Sequence, residues 1–193
     1  MKNLMFIAFL VPFWCFGQVE ILSNTIDDFT KTQMISTKGW KKDVPVKSEF
    51  INSDKNSNVS FFITYNKKKE GNEVYYFKIY FMNNKFDFGC MSENSGKILF
   101  LFNDDTTIEG TNRADTNCKE SIYNASFLLC PKDKLTGGLF YGIQEESIAK
   151  LSLVGVKKIR VTFSKGYIDY DIKEEKQFIF AQHLKAIKEE LNK

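Results

Sequence analysis

The chain has a single histidine, His183, in 193 residues. Any mechanism that needs paired histidines on zinc, or a Ser-His-Asp set, would have to run through that one side chain. His183 stands beside an apolar stripe, one turn from Phe180 and Ile187, and is expected at the surface or boundary of a helix. A phosphate-cradling glycine loop, a nucleophile elbow and a calcium loop are also missing, so no cofactor and no metal is expected. Charge of one sign is lacking too: 27 Lys+Arg against 24 Asp+Glu leave a formal charge of +3. That gives no basic footprint for nucleic acid. After Gly17, Lys, Asp, Glu or Asn interrupts every apolar stretch, so no transmembrane segment is expected in the mature chain.

What the chain does have is apolar mass. It is 43% hydrophobic and 15% aromatic, with 19 Phe and 8 Tyr, too apolar for disorder and enough for a substantial core. Residues 1–17 read MKNLMFIAFLVPFWCFG: a cation at Lys2, an apolar run from Leu4 to Phe16, and a small residue at Gly17. The run is too short to span a bilayer and has the order of a secretory signal, with cleavage expected between Gly17 and Gln18. Cys15 follows the bulky Trp14, which suits lipidation poorly, so a soluble exported product is expected over a lipid-anchored one. Residues 18–193 contain no linker or repeat and read as one exported domain, periplasmic or extracellular.

The export signal ending in Phe16-Gly17 before Gln18 is joined to a body rich in Lys, Asn, Ile and Phe. With KILFLFNDDTTIEG at 97–110, VKKIRVTFSKGYIDYDI at 156–172 and a terminal amphipathic helix, it resembles uncharacterised secreted proteins of Bacteroidota. The resemblance implies a compartment and an architecture, and no activity. Asp105-Thr106-Thr107 also resembles the short O-glycosylation acceptor of that phylum, although a polar turn has the same composition.

Export would leave Cys90, Cys118 and Cys130 in an oxidising compartment. Three cysteines allow at most one intramolecular bridge. Cys118 with Cys130 would close a short loop, and Cys90 is the alternative partner.

Alternation at period two marks strands. Val59, Phe61, Ile63 and Tyr65 share one face, and a charged turn at Lys67–Asn72 returns the chain into a strand over 73–82. Residues 98–102 are apolar on both faces and expected central in the sheet, with Asp104-Asp105 as a turn. A further strand over 122–130 ends at Pro131. A short helix is expected over 143–153, with Glu145 and Glu146 in its first turn and Lys150 late. If Lys165-Gly166 is a two-residue turn, Thr162 faces Asp169, Arg160 faces Asp171 and Val161 faces Tyr170. Residues 173–193 form a terminal helix with Phe180, Leu184, Ile187 and Leu191 inward. The fold class is α+β: an antiparallel sheet of hairpins, roughly seven or eight strands, with one short internal helix and a C-terminal amphipathic helix.

No catalytic residue is singled out. Glycoside hydrolysis needs only two carboxylates, so an exported carboxylate-only, glycan-directed hydrolase is one alternative. Its candidates nonetheless have simpler roles: Asp169 and Asp171 on a salt-bridged strand face, and Asp104 and Asp105 in a turn. Asp87 has no identified partner. Tyr75, Tyr76, Phe77, Tyr80 and Phe81 could form a stacking platform, though a buried strand has the same composition. The leading expectation is a non-catalytic binding module for a glycan, peptide or envelope protein; the other alternative is an envelope structural or assembly component.

Overall fold

The computed structural model describes residues 19–38, 40–41, 44–45, 51–52, 58–69, 71–82, 90–91, 96–113, 122–136 and 139–193. The signal-like segment, Cys118, Asp87 and the Gly137-Gly138 pair lie outside them. In chain order the elements are β1 (Ile21–Ile26), β2 (Gln33–Thr37), β3 (Trp40–Lys41), β4 (Val44–Pro45), β5 (Ile51–Asn52), β6 (Asn58–Lys67) and β7 (Glu73–Met82). They continue with β8 (Lys97–Phe102), β9 (Thr107–Asn112), β10 (Ile122–Leu128), α1 (Leu139–Leu153), β11 (Val156–Phe163), β12 (Gly166–Ile172) and α2 (Ile179–Leu191).

Ten strands form one antiparallel sheet in the order β1-β2-β6-β7-β10-β9-β8-β11-β12-β5, and β3 pairs with β4 as a separate ribbon. The fold is α+β, mostly sheet, with a C-terminal helix. The sheet exceeds the seven or eight strands expected because short strands such as β2 and β5 are too brief to show a period. The hairpins form where alternation places them. β6 and β7 pair along their whole length, from Asn58↔Met82 to Lys67↔Glu73, and Gly71 takes the positive φ of 89° that their turn requires. β8 lies between β9 and β11, inside the sheet.

Two local expectations are corrected. α1 begins at Leu139, so its first turn carries no acidic residue and Glu145 and Glu146 fall further along. The β11–β12 hairpin turns at Ser164-Lys165, and its register differs by two residues from the expected one: Arg160 faces Asp169, Lys158 faces Asp171 and Val161 faces Ile168. A two-residue shift keeps every side chain on its own face, so face alternation cannot choose between the registers. The observed register forms two ion pairs, Arg160 Nε–Asp169 Oδ1 at 2.6 Å and Lys158 Nζ–Asp171 Oδ1 at 3.0 Å. The expected register would oppose only one cation to a carboxylate.

The sheet folds over on itself. Phe61 of β6 meets Tyr170 of β12 at 5.6 Å between ring centres, and Phe77 of β7 meets Phe100 of β8 at 4.7 Å. Strands far apart in the sheet order make such contacts only if the two halves face each other. The corner lies where β10 pairs with β9 through only two residue pairs, Phe127↔Asn112 and Leu128↔Thr111. Edge-on aromatic packing fills the space between the halves.

α2 closes the fold. Phe180 packs at 4.9 Å from Phe77 and 5.8 Å from Phe100, touching both halves. Just before α2, the Gln177 carbonyl accepts the Val156 amide (2.8 Å), and its side chain accepts from Asn103 (2.6 Å). Gly155 permits that approach, because a Cβ there would lie 2.7 Å from Asn103 Nδ2. At its other end Glu190 accepts from Asn24 of β1 at 3.1 Å. Phe180, Leu184 and Ile187 are buried as the helical spacing requires.

Candidate functional site

α1 has an unusual polarity. Its inward side buries two polar residues, Gln144 and Ser147, beside Ile148 and Leu151. Outward it exposes Leu139, Tyr141 (46%) and Leu153 (77%). Gln144 explains the inward half. β10 stops pairing with β7 at Tyr76, which leaves the Tyr75 backbone without a ladder partner on that side. The Gln144 side chain supplies one: the Tyr75 amide donates to Gln144 Oε1 (3.1 Å), and Gln144 Nε2 donates to the Tyr75 carbonyl (3.0 Å). The side-chain amide acts as one residue of a missing strand and fixes α1 against the sheet.

That docking shapes a groove of about 700 Å³. One wall is the β6–β7 turn and the start of β7 (Gly71, Asn72, Glu73, Tyr75), and the other is the α1 stripe Tyr141, Glu145, Ile148, Ala149 and Ser152. Lys188 of α2 stands at the far end. Ser152 and Lys188 also line an adjoining recess of about 530 Å³ beside Phe178, which is 50% exposed. Ile148 and Ala149 are apolar lining, while Glu73 and Glu145 bring a carboxylate to each wall and Lys188 brings a cation from α2. Burial, and then the Glu73 charge, pushes the Tyr75 phenol up to about 12. Tyr65, 5.0 Å from Tyr75 ring to ring, is raised for the same reasons. Tyr75 stays a neutral wall of the groove at physiological pH. A third concavity, about 710 Å³ between β1 and the end of α2, is bordered by ion-paired residues, Glu20 with Lys38 and Glu190 with Lys193.

The expected site residues are dispersed. His183 is a core residue, 5% exposed, with Nδ1 2.7 Å from Thr37 Oγ1. This corrects the surface placement: the helix stripe is wide enough to take His183 inward, and Thr37 meets its polar atom. Cys130 carries a free thiol with no exposed surface, so the Cys118–Cys130 bridge is not formed. Its side chain follows Leu129 into the interior at the end of β10, and burial raises its pKa. Cys90 is disulfide-bonded, to a partner outside the described residues. Phe77 and Phe81 are core residues, Tyr80 stacks on Phe62 at 5.1 Å, and Tyr75 lines the groove, so the five aromatics make no common platform.

Asp104 and Asp105 form the β8–β9 turn, pinned by Lys150 of α1 and Lys157 of β11 respectively. Bonds from Thr106 and Lys150 hold Asp104 down to about 2, and the Thr106 hydroxyl is engaged by that carboxylate at 2.5 Å. Asp27, Asp104 and Glu190 are all shifted downward by hydrogen bonds. Among the described residues no group of three His, Cys, Asp or Glu could hold a metal ion, and no helix is long and apolar enough to cross a membrane. Sequence reasoning missed the groove: its residues come from α1, the β6–β7 turn and α2. The one local signal was apolar residues at 139, 141 and 153 of a helix already supplied with an inward face by Ile148 and Leu151.

Compared with protein-family models, curated proteins and solved structures, the chain has no match.

Proposed function

We propose that this chain is an exported, non-catalytic binding protein, released from its signal between Gly17 and Gln18 into the periplasm or beyond the cell, whose groove along α1 holds an apolar segment of a peptide or envelope protein. The observation that carries the reading is the mixed polarity of α1, which buries Gln144 and Ser147 beside Ile148 and Leu151 and exposes apolar residues as well as Glu145 and Glu146. A helix that gives inward positions to Gln144 and Ser147 while exposing Tyr141 and Leu153 along a recess leaves apolar surface that another molecule can bury. A glycan is the weaker ligand, because sugar sites present open aromatic faces beside hydrogen-bonding groups, and here one face of Tyr80 is taken up by stacking on the buried Phe62. The hydrolase alternative has less support: a general acid needs a raised carboxyl pKa, whereas among the described residues Asp27, Asp104 and Glu190 are shifted downward.

Titration of isotopically labelled protein with short peptides carrying two or three apolar side chains tests the reading. Shifts are expected at Tyr141, Ile148, Ala149 and Leu153, and Ala149→Arg, at an exposed position lining the groove, should abolish them. Binding that maps elsewhere, or that survives Ala149→Arg, would overturn the groove as the site.

A further inference from the structure

The groove reading can be taken further, because the molecule also carries a protrusion suited to it: we infer that in the absence of another ligand the groove receives Phe29 from a second copy of this chain, in a reciprocal two-fold dimer. The inference rests on the groove being a binding site.

Phe29 lies in the β1–β2 turn with 96% of its surface exposed. The turn around it is built, not loose. Asp27 Oδ1 accepts the Phe29 amide (3.1 Å), the Thr30 amide (2.6 Å) and the Thr30 hydroxyl (2.7 Å). The Asp27 amide donates to the Thr32 carbonyl (3.0 Å), the Lys31 amide donates to the Asp27 carbonyl (2.8 Å), and Lys31 takes φ 55°. A fixed loop presenting one bare aromatic ring is a preorganised anchor: little ordering remains to be done on binding, and a single buried aromatic can dominate a contact. Ile26, 62% exposed, adds apolar surface beside it.

Charge selects the receptor. Asp28 and Lys31 flank Phe29, so the recess should be apolar with both signs on its rim. The α1 groove has that form around Ile148 and Ala149: Glu73 is already paired with Lys67 at 3.1 Å, which leaves Glu145 to meet Lys31 and Lys188 to meet Asp28. An anionic lipid surface fits poorly, since Asp27 and Asp28 outnumber Lys31 at the tip.

Topology sets the symmetry. Gln33 pairs with Lys67, so the β1–β2 and β6–β7 turns emerge at the same end of the sheet, and the latter walls the groove. Phe29 does not line its own groove. An anchor and a recess side by side on one molecule are satisfied together by a two-fold axis, which closes the assembly at a dimer.

Sedimentation velocity of the full mature, oxidised chain over a concentration series tests this, with Phe29→Ser and Ala149→Arg, both at exposed positions, checked for folding by circular dichroism. Each variant alone should associate at least about tenfold more weakly than wild type. An equimolar mixture of the two should recover a dimer, because one intact Phe29 still meets one open groove. A wild-type chain monomeric up to millimolar concentration overturns the proposal, as does association that neither variant weakens or a mixture no better than its components. If self-association fails while apolar peptides still bind in an Ala149→Arg-sensitive way, only the self-docking is lost. If neither peptide nor second copy enters the groove, both readings fall.

Discussion

At the scale of single residues, the core polar contact of His183 is the most consequential. Thr37 Oγ1 accepts the Ile63 amide at 3.0 Å and its hydroxyl donates to the Ile63 carbonyl at 3.2 Å. With its one proton so used, Thr37 can only accept from His183, which places the imidazole proton on Nδ1. Thr37 thereby continues the β2–β6 ladder one step past the Ser36↔Thr64 pair and ties it to α2. Burial holds the imidazole neutral, lowering its pKa from 6.5 to about 4. The unfolded chain therefore binds the proton first, and stability is complete above pH 6.5 and is lost as the pH falls towards 4. At about 1.4 kcal/mol per unit this amounts to about 3 kcal/mol. Urea denaturation at a series of pH values should show that loss, and His183→Asn, which keeps a donor near Nδ1, should flatten it. A second decline is expected below it, as pH drops under 3.8 and the Asp104 carboxylate, held at about 2, is protonated. None of this was legible in the sequence. The partners His183 and Thr37 are separated by 146 positions, and a histidine next to a stripe reads as a boundary residue until its partner is known.

Among the elements, α1 shows how one side chain can position a helix. Gln144 is buried and its amide satisfies both backbone groups of Tyr75. Gln144→Leu keeps the bulk and removes both bonds, leaving an amide and a carbonyl without partners, at a cost of about 2 kcal/mol. Denaturant titration should register that loss, and amide exchange at Tyr75 should quicken while the Ile63 amide, bonded to Thr37, keeps its protection. Strand positions were readable because a period of two needs only a few residues to declare itself, as the agreement of β7 with the expected 73–82 span illustrates. The start of α1 was not, since Leu139–Gly142 contains no Ser, Thr, Asp or Asn and its first turn has no acidic residue. The β11–β12 register was readable as to face but not as to offset. Charge pairing decided the offset, with Lys158 and Arg160 each reaching an aspartate. The groove was illegible for a different reason: it is made by the docking of α1, and docking depends on Gln144 finding a backbone gap 69 residues away.

For the whole molecule, the fold depends on two half-sheets meeting across rings, with α2 laid against β1, β2 and β6 and reaching the other half through Phe180. Phe180 is the residue that both halves share, 1% exposed and edge-on to Phe77 and Phe100. The β10–β9 corner, with two residue pairs, is too weak a joint to hold the halves together without that packing. Truncating the shared ring should therefore act on the entire molecule and not on α2 alone. Phe180→Ala is expected to cost about 3–5 kcal/mol, the range for a buried Phe that leaves a cavity. That is a large part of the stability of an ordinary domain. The informative readout is cooperativity. Hydrogen exchange of the variant should show amides in β6 and in β11, one strand from each half, losing protection together. Protection lost in one half while the other keeps its native exchange would mean that the half-sheets are separately stable, and that α2 covers them without joining them.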